Sequence, residues 1–144
     1  MIAYLDASVL LRFVLGQSGA LEQWGRIATG VGSMLVRVEC LRALDRLRLT
    51  ERLDSDELSL RRKTVFELTD RMRLLDVDRA VLERASQPSP TPLGTLDAIH
   101  LAGAILYRAE QEETLVMATH DRGLGLAAAS MGFDVIGAEV SRRS

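Results

Sequence analysis

The sequence predicts an α/β domain with a mainly parallel central sheet of about four to five strands flanked by helices. Short apolar runs alternate with longer segments of helical periodicity along the chain, which is typical of this class. The 144 residues suit one domain with a sizeable core, and 47% are hydrophobic but only 4% aromatic. We therefore expect a single domain over 1–144, built on Leu, Val, Ile and Ala, with a flexible tail at 139–144.

The first fifty residues predict two strands and three helices. Each strand is a short apolar run, each helix has apolar residues at spacings of three to four, and pairs of glycines follow both early helices. In chain order these are a strand at 2–5, helices at 8–15 and 20–29, a strand at 33–36, and a helix containing the leucines at 41, 44, 47 and 49.

The rest of the chain continues the alternation. A helix over 55–72 has an apolar stripe and is expected to be capped by Ser55 or Asp56. All three prolines fall within 87–94, which predicts a loop, and Thr95 is the expected cap of the helix that follows. The remaining predicted elements are a strand at 74–77, helices at 79–85, 95–109 and 124–131, and strands at 115–119 and 133–136.

Four acidic residues stand at the ends of separate apolar runs. Asp6 follows the first strand, Glu39 comes after the run 34–38, Asp97 opens a helix, and Asp121 follows the strand at 115–119. Right-handed crossovers point every strand of a parallel sheet the same way, so residues beyond the carboxyl ends converge. The spacing therefore predicts one cluster of carboxylates at one edge of the sheet.

Clustered carboxylates repel each other, which raises their pKa unless a cation neutralises them. Mg²⁺ or Mn²⁺ suits such oxygen ligands and supports in-line attack on a phosphate. Asp6, Glu39 and Asp97 are the predicted core ligands, and Asp121 completes the set directly or through water. Each acid taken alone also has a structural explanation, because acidic residues stabilise helix starts.

Three polar neighbours are candidates for supporting the site. Ser8 and Thr119 each lie two residues from an acid; they either hold water or phosphate or only cap local structure. Arg122 follows Asp121 directly and either reaches phosphate or stays in solvent. We expect His100 to pack or hydrogen-bond near the site rather than act as a base.

Bulk composition bears on the class of ligand and on the cellular compartment. The formal charge of −2 becomes +2 when the four acids are set aside, and Lys63 is the sole lysine. This arginine-rich balance is compatible with phosphate binding, but codon bias explains it equally well. Neither a bilayer-spanning run nor a secretory signal is expected. Cys40 is the only cysteine, which fits a reducing cytoplasm.

The neighbours of the four acids resemble the four motifs of the PIN domain, in the family's order. The compact length and the DAS and LDAIHLA segments are similar more narrowly to VapC-type toxins of bacterial toxin–antitoxin pairs. The four segments are YLDASVL at 4–10, VECLRAL at 38–44, LDAIHLA at 96–102 and ATHDRGL at 118–124.

The resemblance implies a cytoplasmic Mg²⁺- or Mn²⁺-dependent endoribonuclease that is a homodimer, acts on structured RNA such as tRNA or rRNA, and is inhibited by a small cognate antitoxin. Asp6, Glu39, Asp97 and Asp121 match the family's acidic metal site. A non-catalytic PIN scaffold that binds RNA or protein is the alternative. Residues 48–94 share no motif, and we expect RNA choice to be determined there.

Two other classes of phosphate-handling protein fit less well. A phospho-accepting signalling domain requires adjacent acids after the first strand and a lysine after a late strand, whereas Asp6 precedes Ala7 and Lys63 lies in a mid-chain helix. A haloacid-dehalogenase-type phosphatase requires a second Asp where this chain has Ser8.

Overall fold

The structure is a computed structural model that describes residues 1–140, so most of the tail predicted at 139–144 lies outside the described residues. Strands and helices alternate as the sequence predicts. The strands are β1 (Ile2–Leu5), β2 (Thr29–Ser33), β3 (Arg73–Leu75), β4 (Val116–Ala118) and β5 (Val135–Ile136). The helices are α1 (Ala7–Val14), α2 (Leu35–Leu49), α3 (Ser55–Asp70), α4 (Arg79–Ala85), α5 (Thr95–Gln111) and α6 (Arg122–Ser130), with a 3-10 turn at Trp24–Arg26.

The five strands form one parallel sheet in the order β3-β2-β1-β4-β5. β1 is central, and Ala3 pairs with Gly30 of β2 on one side and with Val116 of β4 on the other. The chain first winds outward through β2 and β3, then returns past β1 to build β4 and β5. Because the direction of winding reverses beside β1, the carboxyl ends of β1 and β4 border a crevice of the kind that holds ligands in open α/β sheets.

Helices cover both faces of the sheet. Ala3 and Leu5 of β1 pack in one core cluster with residues of α1, α2 and α3. Tyr4, between them, points to the other face and packs in a second cluster with residues of α5 and α6, as the two-residue period of a strand requires. None of the helices within residues 1–140 is long and apolar enough to cross a membrane.

The segment 20–36 differs from the prediction. In place of a helix at 20–29, the chain makes the short 3-10 turn and enters β2, and the apolar run at 33–36 ends that strand and starts α2. Gly30 and Gly32 interrupt the series of apolar residues from which a strand would be predicted at this place. A Cβ on Gly32 would lie 2.8 Å from Cε of Met72 and 3.2 Å from the Leu5 carbonyl oxygen. Close packing against Met72 and the Leu5 backbone on this face therefore favours glycine where a strand normally has apolar side chains.

Two predicted helix caps are also wrong. Asp54, not Ser55 or Asp56, caps α3 by accepting a hydrogen bond from the Glu57 N–H at 2.8 Å. Gly94 is the N-cap of α5, and Thr95 is its first helical residue. The prolines at 88, 90 and 92 lie in the loop before α5, as predicted.

Candidate active site and metal centre

The candidate site lies at the carboxyl edge of the sheet, beside the reversal of winding at β1. Asp6 follows β1 directly and Asp121 follows β4 by three residues. Asp97 is in the first turn of α5. Glu39 lies inside α2 rather than at its start, so the helix-start explanation of that acid does not hold.

Asp6 is the buried anchor of the site, with 3% of its surface exposed. Its Oδ1 accepts hydrogen bonds from the Ser8 hydroxyl at 2.6 Å and from the Val9 N–H at 3.2 Å, which caps α1. Its Oδ2 accepts a very short hydrogen bond from the hydroxyl of Thr119, which is fully buried. Donors that charge-assist a carboxylate in this way fix its position and offset its burial.

The same hydroxyls connect β1 to the segment after β4. Thr119 Oγ1 also accepts a hydrogen bond from the Asp121 N–H at 3.0 Å, and Ser8 Oγ accepts one from the His120 N–H at 2.9 Å. Ser8 and Thr119, predicted as neighbours of two different acids, therefore belong to one network. Each hydroxyl orients Asp6 and the backbone beside Asp121 at once.

Asp121 and Arg122 face solvent at the start of α6. Asp121 Oδ1 accepts a hydrogen bond from the Leu124 N–H at 2.8 Å and caps the helix. Arg122 is exposed and makes no hydrogen bond or ion pair with any of residues 1–140. Its side chain is therefore available to a ligand at the rim of the site.

Glu39 is held by His100, the histidine that was expected to pack or hydrogen-bond near the site. His100 Nε2 lies 2.6 Å from Glu39 Oε1, and His100 Nδ1 lies 3.0 Å from the Tyr4 hydroxyl. His100 is 1% exposed and Tyr4 is fully buried. The prediction that His100 hydrogen-bonds near the site is confirmed. Tyr4 was missed, although its position two residues before Asp6, on the same side of β1, was a usable signal.

The pKa of Asp97 is raised by its burial and by the other acids of the cluster. Its carboxylate accepts no hydrogen bond from residues 1–140. Burial raises the pKa of Asp97, and the nearby charges of Asp121, Asp6 and then Glu39 raise it further, against an opposing effect of His100. The four predicted acids are therefore close enough to interact, and repulsion among them disfavours the ionised form of Asp97.

Cys40 and His120 are sequence neighbours of two of the acids but form no hydrogen bond with any of the four within residues 1–140. Cys40 is fully buried in α2, and burial together with Glu39 and Asp6 raises the pKa of its thiol to about 12. It is thus protonated at neutral pH. His120 Nδ1 pairs with the Gly137 carbonyl oxygen at 2.9 Å, so this ring points away from Asp6.

The donor chemistry of the site fits a hard divalent cation. The four acids supply only oxygen ligands, and no arginine or lysine among residues 1–140 forms an ion pair with Asp97. Within residues 1–140, no three acid, histidine or cysteine side chains are arranged closely enough to hold an ion as they stand. Glu39 uses only Oε1 in its contact with His100, and Asp121 is exposed at the start of α6, so small side-chain movements can bring the acids together around the fixed, buried Asp6.

Comparison of the sequence with known proteins finds matches over most of the chain. The PIN domain family model matches residues 3–129. Ribonuclease VapC46 of Mycobacterium tuberculosis is 34% identical over 136 residues, which cover 92% of this chain and 95% of that protein.

Solved structures share the fold at low sequence identity. The FitAcB crystal structure from Neisseria gonorrhoeae superposes with a TM-score of 0.67 at 16% identity, covering 94% of this chain and 96% of that one. A toxin–antitoxin complex from Klebsiella pneumoniae gives a TM-score of 0.61 at 15% identity, covering 84% and 87% of the two chains. At these identities the structural likeness concerns the fold alone.

Proposed function

This chain belongs to the PIN domain family, and on that premise we propose that it is a Mg²⁺- or Mn²⁺-dependent endoribonuclease acting as the toxin of a VapBC-type toxin–antitoxin module. The observation that carries the proposal is the raised pKa of Asp97 among three other acids beside a buried, fully hydrogen-bonded Asp6. A bound cation would neutralise this repulsion between the carboxylates.

In this proposal Asp6, Glu39, Asp97 and Asp121 hold the cation. When bound, the cation supplies water activation and charge stabilisation at a scissile phosphate. Asp6 keeps one orientation because Ser8 and Thr119 donate to its two oxygens. The exposed Arg122 guanidinium is suited to bind a phosphate oxygen of the substrate at the rim.

RNA is the proposed substrate because single-stranded and looped RNA presents an accessible, flexible backbone to a surface site. The ribonuclease VapC46 relative supports this choice. A structured cellular RNA such as tRNA or rRNA, and therefore a cytoplasmic location, follow as parts of the same proposal.

A small antitoxin and a second copy of the chain are the proposed protein partners. Solved relatives of the same fold include a toxin–antitoxin complex. Dimerisation is proposed because leucine-rich helices leave large apolar side chains such as Leu49, Leu60 and Leu82 exposed. A monomer mass in light scattering at micromolar concentrations would refute the dimer.

The alternative is a non-catalytic PIN scaffold. It is less favoured because all four acids are present and so are the two hydroxyls that orient Asp6. A scaffold needs neither feature to bind RNA or protein.

The test is cleavage of total cellular RNA by purified protein with Mg²⁺ or Mn²⁺, beside an Asp97→Asn variant and an EDTA control. We expect cleavage by the wild type only, and only with the metal present. Cleavage that persists in EDTA, or that is equal in the variant, would overturn the proposal. A single-stranded DNA of matched sequence tests the preference for RNA in the same assay.

A further inference from the structure

A buried histidine and a buried tyrosine lie behind Glu39 and have no role in the proposed chemistry so far. His100 contacts Glu39 through Nε2 at 2.6 Å and Tyr4 through Nδ1 at 3.0 Å. Neither ring reaches solvent, since His100 is 1% exposed and Tyr4 0%. The Glu39 side chain is 21% exposed, so this chain of contacts runs from the core to the edge of the site.

The Glu39 carboxylate fixes the direction of its hydrogen bond with His100. A carboxylate can only accept, so Nε2 of His100 carries a proton and donates to Oε1. The Tyr4 hydroxyl lies 3.0 Å from Nδ1 and can either donate to it or accept from it. In both cases this contact holds the imidazole with its Nε2–H group facing Glu39.

The core holds this arrangement in place. Tyr4 lies on the central strand, and its ring meets that of His100 edge-on, with centroids 5.8 Å apart. The helix α5 packs closely here, since a Cβ on Gly103, one turn along from His100, would be in ordinary contact with the Tyr4 hydroxyl oxygen at 3.5 Å. Both rings are thus enclosed by the core.

We propose that His100 and Tyr4 are positioning residues that hold the Glu39 carboxylate by one oxygen and leave Oε2 to the cation. Oε2 makes no hydrogen bond with residues 1–140. This inference rests on the proposed function, since it assigns Glu39 to the same metal site. Partners that orient a metal ligand through a hydrogen bond are worth about 10- to 100-fold in metal affinity or activity.

The test measures Mn²⁺ affinity of the full chain by isothermal titration calorimetry, without RNA. His100→Leu removes the donor at similar volume and is expected to weaken Mn²⁺ binding by about 10- to 100-fold. His100→Gln keeps an N–H group near the position of Nε2 and is expected to restore most of that loss. Tyr4→Phe removes only the hydroxyl and is expected to weaken binding by about 3- to 10-fold, a smaller loss because Nε2 still donates.

Tyr107→Phe is the matched control. Tyr107 is also buried, at 6% exposure, but its hydroxyl contacts Arg73 and Glu113 rather than the site. A general loss of stability on removing a buried phenol would affect both tyrosine variants, whereas loss of positioning affects Tyr4→Phe alone. In RNA cleavage, we expect the variants to need more Mn²⁺ for half-maximal rate, with kcat at saturating Mn²⁺ changed less.

Unchanged or tighter Mn²⁺ binding in His100→Leu and Tyr4→Phe would overturn the inference and leave the proposed function standing. Equal losses in Tyr4→Phe and Tyr107→Phe would overturn it as well. Absence of Mn²⁺ binding to the wild type would instead overturn the proposed function itself. Should His100→Leu fail to fold, the comparison of the two tyrosine variants still decides the question.

Discussion

Replacing Asp97 with Asn should abolish cleavage and yet stabilise the protein in the absence of divalent cations. In the folded protein the ionised Asp97 carboxylate is disfavoured by burial and by the charges of Asp121 and Asp6, and it accepts no hydrogen bond within residues 1–140. An amide of the same shape removes the charge and keeps the volume. The repulsion between Asp97 and the other acids lowers the stability of the fold but favours the binding of a cation.

The gain is small because Asp97 is only partly buried and solvent screens it. Interactions between partly exposed charges are worth about 0.2–1 kcal/mol, so we expect an increase of about 0.5 kcal/mol in the free energy of unfolding. For a chain of this length that corresponds to a rise in Tm of about 1–2 °C. The increase should shrink at high salt, since repulsion between exposed charges is screened.

The pH dependence has a definite sign. The pKa of Asp97 is raised in the folded protein, so folding costs free energy only where the carboxyl is ionised. The cost is absent below the ordinary carboxyl pKa, grows as the pH rises through the folded pKa, and is complete above it. Asp97→Asn should therefore be more stable than the wild type at pH 7 and equal to it in acid.

The assay is urea unfolding in EDTA at pH 7 and at acidic pH. Asp56→Asn is the matched control, because Asp56 also lies in the first turn of a helix but is exposed on α3. Losing the favourable interaction with the helix N-terminus should slightly destabilise that variant. A destabilised Asp97→Asn at pH 7, or a stability difference that does not depend on pH, would show that burial and the neighbouring acids do not disfavour the Asp97 carboxylate.

Three further substitutions and one control, Gly25→Ala, separate support of the site from substrate binding. Thr119→Val removes a donor to the buried Asp6 carboxylate and should lower the free energy of unfolding by about 1.5–3 kcal/mol, measured by urea unfolding, with loss of cleavage. Gly137→Ala should cost about 2–3 kcal/mol, because Gly137 has a φ of 92° and a Cβ there would lie 2.6 Å from the Thr119 carbonyl oxygen. Gly25→Ala, with open space around the new Cβ, should change stability by less than about 0.5 kcal/mol. Arg122→Ala should leave Tm unchanged and raise the KM for RNA, because its side chain contacts solvent.

Each of these expectations has an outcome that contradicts it. Full activity of Thr119→Val would mean that Asp6 does not need its buried donor. Similar stabilities of the two glycine variants would remove the argument for a close approach at Gly137. An unchanged KM in Arg122→Ala would exclude this arginine from the RNA contact.

The sequence was sufficient for the parallel sheet and for the carboxyl-edge position of the four acids, because both follow from periodicity and from right-handed crossovers. It failed over 20–36, where Gly30 and Gly32 take positions that a strand normally fills with apolar side chains. Gly30 and Gly32 lie closely against Leu5 and Met72, which are distant from them in sequence. No local pattern contains that information.

The candidate site shows the same division. Ser8 and Thr119 became candidates because each stands two residues from an acid. The sequence could not show that Thr119 donates a hydrogen bond to Asp6, 113 residues away, as Ser8 does from nearby. The link from Glu39 through His100 to Tyr4 joins α2, α5 and β1. The position of Tyr4 two residues before Asp6 indicates that it lies near the site, but its contact with His100 depends on the packing of three separate elements.

If the four acids form one cation site, Mn²⁺ binding must depend on Asp97, and calorimetric titration of the wild type and of Asp97→Asn at pH 7 measures that dependence. We expect saturable binding to the wild type and a loss of about 100-fold or more in the variant, since removing a charged ligand costs more than removing the hydrogen-bond partner of a ligand. Equal affinity for Mn²⁺ in the two proteins would contradict this expectation.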